Sequence, residues 1–179
     1  MTVRVESLEF TVRRSPGYAL NRLREVRVEN RHIRPGDEIE VTVSLLRYHG
    51  EPFEHRVRVP IPTHVRSGDR LSLLLGDAET VARVDGLLEM PVTSLEGMVD
   101  RWRDRPSNRN LYIRLQQPAG GMHVEGRGLH GLPPSVLAQF RSNTHHFVRR
   151  PLEESTLWEE LIPVEGQFQG NYRITITID

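Results

Sequence analysis

The sequence predicts a mainly β protein, α+β overall: an immunoglobulin-like β-sandwich with a smaller α+β part that contains two short helices. Three observations carry this expectation. Apolar residues recur with period two through the first half of the chain. Turns bearing proline and glycine separate those runs at short intervals. Helical spacing of apolar residues first becomes clear after Pro91. The expected boundaries are 1–88 for the sandwich, with residues 18–85 as its body, and 89–179 for the smaller part packed on it, which can form one compact unit with it.

Val3, Val5, Leu8, Phe10 and Val12 mark an opening strand with a bulge where the phase shifts, ended by Ser15-Pro16-Gly17. Val26 and Val28 give a short second strand. Arg34-Pro35-Gly36-Asp37 then turns the chain into the clearest strand, with Ile39, Val41, Val43 and Leu45 on the core face and Glu38, Glu40 and Thr42 on the wet face. After His49-Gly50-Glu51-Pro52, Val57, Val59 and Ile61 alternate with Arg56 and Arg58 as a hairpin partner. Pro60 and Pro62 place that partner's end at a sheet edge, since proline cannot donate to a ladder. Ser67-Gly68-Asp69 is a turn of the same kind as the one at Gly36, 32 residues on, leading into Leu71, Leu73 and Leu75.

Thr93-Ser94-Leu95-Glu96 is a capping box, and Leu95, Met98, Val99 and Trp102 follow at helical spacing until Pro106 stops the helix. That stripe is expected to face the core. Leu111, Ile113 and Leu115 form a strand, a glycine-rich segment runs from Gly120 to Gly131, and Pro133-Pro134 opens a second short helix with Val136, Leu137 and Phe140 inward. Glu153-Glu154 and Glu159-Glu160 flank Trp158 in a segment of helical tendency. Tyr172, Ile174, Ile176 and Ile178 alternate along a closing strand.

Composition excludes several chemistries. The 179 residues include no cysteine, which removes disulfide frameworks, thiolate zinc sites and cysteine nucleophiles. All 24 basic residues are arginine, so Schiff-base and phosphate-loop lysines are absent. The 24 carboxylates alternate with those arginines, as between Arg22 and Arg34, leaving no basic excess for a nucleic-acid backbone. No apolar run approaches the roughly 18 residues of a membrane helix, and the N-terminus does not read as a signal peptide. No nucleic-acid partner and no membrane insertion are expected.

Gly126-Arg127-Gly128-Leu129-His130-Gly131 matches G-x-G-x-x-G, but ten residues separate it from the strand at Leu115 and Pro133 follows its third glycine closely, so a permissive turn explains it better than a dinucleotide site. His123, His130, His145 and His146 have no chelating spacing, because adjacent histidines point apart. Ser94 and Ser135 lie at helix starts and outside G-x-S-x-G, where serine ordinarily caps. The carboxylate pairs beside Trp158 are neighbours in sequence, whereas glycoside hydrolysis opposes its carboxylates across a cleft. No catalytic residue, metal ligand or cofactor is assigned.

Ile33-Arg34-Pro35-Gly36-Asp37 into the strand ending Leu45-Leu46-Arg47-Tyr48-His49-Gly50-Glu51, then Val59-Pro60-Ile61-Pro62, then Ser94-Leu95-Glu96 through Arg105 to Asn108-Arg109-Asn110-Leu111-Tyr112-Ile113-Arg114-Leu115, and Leu132-Pro133-Pro134-Ser135-Val136 form a set. From about residue 20 onward the chain resembles the C-terminal region of large exported bacterial proteins whose N-terminal part is a SpoIVB-type serine peptidase domain. The resemblance implies a non-catalytic portion of such a protein and residence outside the cytoplasm. It carries over no catalytic residue.

The expected function is therefore that of a non-catalytic accessory module for protein association or domain positioning, its partner a protein: the remainder of a longer chain, or itself. The residues singled out for partner binding are Arg56 and Arg58 at the sheet edge, and Trp102 as an anchor wherever it is exposed. Two other functions remain open on the sequence: a carbohydrate-binding sandwich, which needs a row of exposed aromatics, and a hydrolase with an unrecognised site.

Overall fold

The computed structural model describes residues 19–29, 32–47, 50–86, 95–103, 105–124, 127–129, 132–133, 135–136, 138–139 and 149–179. It is mainly β, with two sheets enclosing a common core. The first sheet joins β1 (Leu20–Val28), β2 (Glu38–Arg47), β3 (Pro52–Pro60) and β8 (Gln167–Gln169) in the order β3-β2-β1-β8. The second joins β4 (Arg70–Gly76), β5 (Asn110–Val124), β6 (Arg127–Leu129), β7 (Arg149–Pro163) and β9 (Asn171–Thr177). Its order is β6-β5-β4-β9, with β7 along the other edge of β5. Two helices are described between β4 and β5: α1 (Ala78–Val84) and α2 (Leu95–Arg103).

Alternation decides the packing. Ile39, Val41, Val43 and Leu45 of β2, with Val57 and Val59 of β3, meet Leu71, Leu73 and Leu75 of β4 and Leu111, Ile113 and Leu115 of β5 in one buried cluster. Phe168, Ile176 and Ile178 from the C-terminal segment complete it. Elements from both sides of residue 88 thus share both sheets, since β8 pairs parallel with β1 and β9 pairs antiparallel with β4.

The two similar turns are alike in detail. Gly36 and Gly68 have φ of 87° and 86°, the left-handed region in which glycine carries no Cβ penalty. In each, the amide of the arginine donates to the aspartate that closes the turn, Arg34 to Asp37 and Arg66 to Asp69, both at 2.8 Å.

Several expectations are corrected. Helix α1 was not expected; Asp77 caps it by accepting from the Thr80 amide, and Ala78 and Val81 bury against Tyr112 on the outer side of the second sheet. Within the glycine-rich segment β5 continues through Gly120 and Gly121, and β6 pairs with its end, so part of the expected Gly126–Gly131 turn is strand. The segment around Trp158 is the strand β7, where a register shift beside Leu115 turns both Leu157 and Trp158 toward the core. On β2 the wet face is dry at its centre, since Thr42 and Ser44 are buried between charged side chains of β1 and β3. The expected opening strand at 3–12 and the capping residues Thr93 and Ser94 lie outside the described residues. Of the second expected helix, residues 135–136 and 138–139 are helical.

Candidate interaction surfaces

Helix α2 runs LEGMVDRWR and stops three residues before Pro106. Its apolar stripe was expected to face the core; instead Leu95, Met98, Val99 and Trp102 are 56%, 56%, 41% and 75% exposed. The spacing i, i+3, i+4, i+7 places these four on one face. Single exposed apolar residues are ordinary, but a contiguous stripe with an indole on it has the make-up of a contact surface. Covering the four would be worth roughly 4–6 kcal/mol of transfer free energy before the costs of association.

The second surface is the outer edge of β3. The strand pairs with β2 over nine consecutive residues, from Pro52 opposite Leu46 to Pro60 opposite Glu38, without a register shift. Among the described residues nothing pairs with its other edge. Its solvent face carries Glu54, Arg56 and Arg58, all exposed, and Arg56 stands 3.8 Å from Glu40 of β2. On the core side Phe53 is half-buried against the cluster, its ring edge-on to His55 and the Arg47 guanidinium 5.4 Å from its centroid. Arg56 and Arg58 therefore share one strand edge, whereas Trp102 stands on a separate element.

A third cluster was missed by sequence reasoning. Arg114 of β5 points to the outer side of the second sheet, where it is buried. It donates to both oxygens of Asp85 at 2.6 and 3.0 Å and to Glu159 of β7. Burial works against its charge, but the two carboxylates outweigh burial and hold the guanidinium more firmly protonated than usual. One row along, Thr175, Ser72, Gln116 and Thr156 line up across β9, β4, β5 and β7. Arg173 reaches Glu154 over this row at 2.9 Å, and Ser72 Oγ and Gln116 Oε1 lie buried beneath without a hydrogen-bond partner. The cluster ties the C-terminal end of α1 to two strands, a structural role. Alternating Arg114 and Glu159 with apolar neighbours gave no signal of it, because pairing across 45 residues is set by register.

Asp77 performs a similar service at the start of α1. Its carboxylate accepts from the Thr80 amide and hydroxyl and from the Gly170 amide, and its own amide donates back to the Gly170 carbonyl. Burial would push this carboxyl up; the hydrogen bonds from Gly170 and Thr80, with the charge of Arg83, outweigh it and hold the carboxyl below its usual range.

The other motifs distribute as follows. Gly128 lies in β6 opposite His123 of β5, while Gly126, His130, Gly131, His145, His146 and Ser94 lie outside the described residues. Among the described residues no group of three or more His, Asp and Glu is placed to hold a metal ion, and no helix is long and apolar enough to cross a membrane. Exposed aromatics among them are Trp102 on α2 and Tyr172 on β9, which form no row on one strand face. No protein-family model, curated protein or solved structure matches the chain.

Proposed function

We propose that this chain is a non-catalytic module that mediates protein association or positions a neighbouring domain, within a larger exported, peptidase-related protein of the kind it resembles. One observation carries the reading: α2 presents Leu95, Met98, Val99 and Trp102 to solvent from a chain whose sheets close a core of their own. A face of this composition is stabilised when a second protein surface covers it, and the tryptophan at its C-terminal end is the residue type that most often dominates such contacts.

The test is site-specific photo-crosslinking in cells that make the protein naturally, with a benzophenone side chain at position 102 and, as control, at exposed Ser67 in the turn before β4. The expected result is a discrete covalent adduct with one defined polypeptide, or within one longer chain, from position 102 and none from 67. Equal, diffuse labelling from both positions would remove the reading.

A further inference from the structure

We infer that the outer edge of β3, which no described strand pairs with, is a two-fold docking edge, at which a second copy of this chain adds antiparallel and continues the first sheet. The inference rests on the association reading, but it uses a surface other than α2. Long regular edges invite pairing, and proteins blunt them with bulges, internal proline or charge. Here the nine-residue ladder has no bulge, prolines stand only at its two ends, and charge is the one such device among the strand's own residues.

That charge pattern repels most partners but complements itself. A two-fold axis through the edge keeps each side chain on its own face, so paired residue numbers must sum to an even value. A sum of 108 sets Glu54 against the partner's Glu54. A sum of 112 sets Arg56 against the partner's Arg56, and 114 sets Arg56 against the partner's Arg58. Only 110 avoids a like-charged pair among these registers. It places Glu54 opposite the partner's Arg56 twice over, with His55 at the axis. On the core side the same register sets half-buried Phe53 opposite the partner's Val57, an aromatic pair with a β-branched residue. The charged face therefore selects this register, and the core face is compatible with it.

A single strand pair buries less than the roughly 1,600 Å² of a standard interface, so dissociation is expected on dilution through about the micromolar range. Sedimentation equilibrium of the whole chain, from about 1 to 500 μM, should give a mass rising from monomer to dimer. E54R or R56E alone places like charges opposite each other twice and should weaken the dimer about tenfold or more; E54R/R56E together should restore it. The chain has no cysteine, so H55C provides a single thiol at the axis. Directly opposed Cα atoms lie about 4.5–5.5 Å apart, within disulfide reach, whereas positions 54 and 56 meet their own copies only diagonally, at about 7–8 Å. Mild oxidation should cross-link H55C and leave E54C and R56C monomeric. W102A should leave the dimer intact, so failure at α2 and failure at β3 are read separately. A monomer at every concentration, cross-linking at 56 in place of 55, or a double variant no better than the singles would overturn the inference.

Discussion

Arg114 shows how one side chain can tie the end of a helix to two strands that already share a ladder. Its guanidinium is satisfied by Asp85 after α1 and Glu159 on β7, so removing it leaves two partly buried carboxylates facing each other without a cation. Arg114→Ala is expected to cost about 2–4 kcal/mol in a urea titration, since breaking a buried pair from one side is far worse than never building it. A cost no larger than that of an exposed surface substitution would show the cluster to be idle. At Asp77 the sign of the pH effect follows from the direction of its shift. Because the folded carboxyl is held below its unfolded value, its contribution is complete above that unfolded value, near pH 4, and disappears as pH falls through the folded value. The stability gap between the wild-type protein and Asp77→Asn should therefore be open at pH 7 and close on acidification toward pH 2–3. A gap that widens in acid would contradict the assignment.

Between elements, the parallel pairing of β1 with β8 depends on one turn. Gly166 has φ of 94°, and a Cβ there would come 2.1 Å from the Ala19 carbonyl oxygen, which itself accepts from the Gln167 amide. Gly166→Ala is expected to lose about 2–3 kcal/mol and to detach β8, visible as fast amide exchange at Gln167 and Phe168. Protection equal to that of β2 would count against this. Elements whose partners lie close in sequence were legible: β2 and β3 declared themselves through Ile39 to Leu45 and Arg56 to Ile61, and the two Gly-Asp turns through their shared residues. Helix α1 gave only a weak signal in sequence: Asp77 before Ala78-Glu79-Thr80-Val81 is a capped start, but seven residues are too few to show a helical period. The segment around Trp158 shows no strand signal in sequence because a register shift in β7 breaks the alternation that marks one. The direction of the α2 stripe was beyond sequence: spacing defines a face, but only tertiary packing decides whether anything covers it.

Taken as a whole, the molecule closes its core with both sheets and leaves α2 uncovered, and the association reading depends on that division. It can be tested with a single spectroscopic measurement on the isolated chain. The sequence has two tryptophans, and Trp158 packs half-buried against the core, so Trp158→Phe leaves Trp102 as the only indole. Acrylamide should then quench the native protein's fluorescence nearly as efficiently as it quenches the same variant unfolded in urea, as a side chain 75% exposed requires. Weak quenching of the native state that rises sharply on unfolding would mean that the α2 face is already covered, and the proposed function would lose its support.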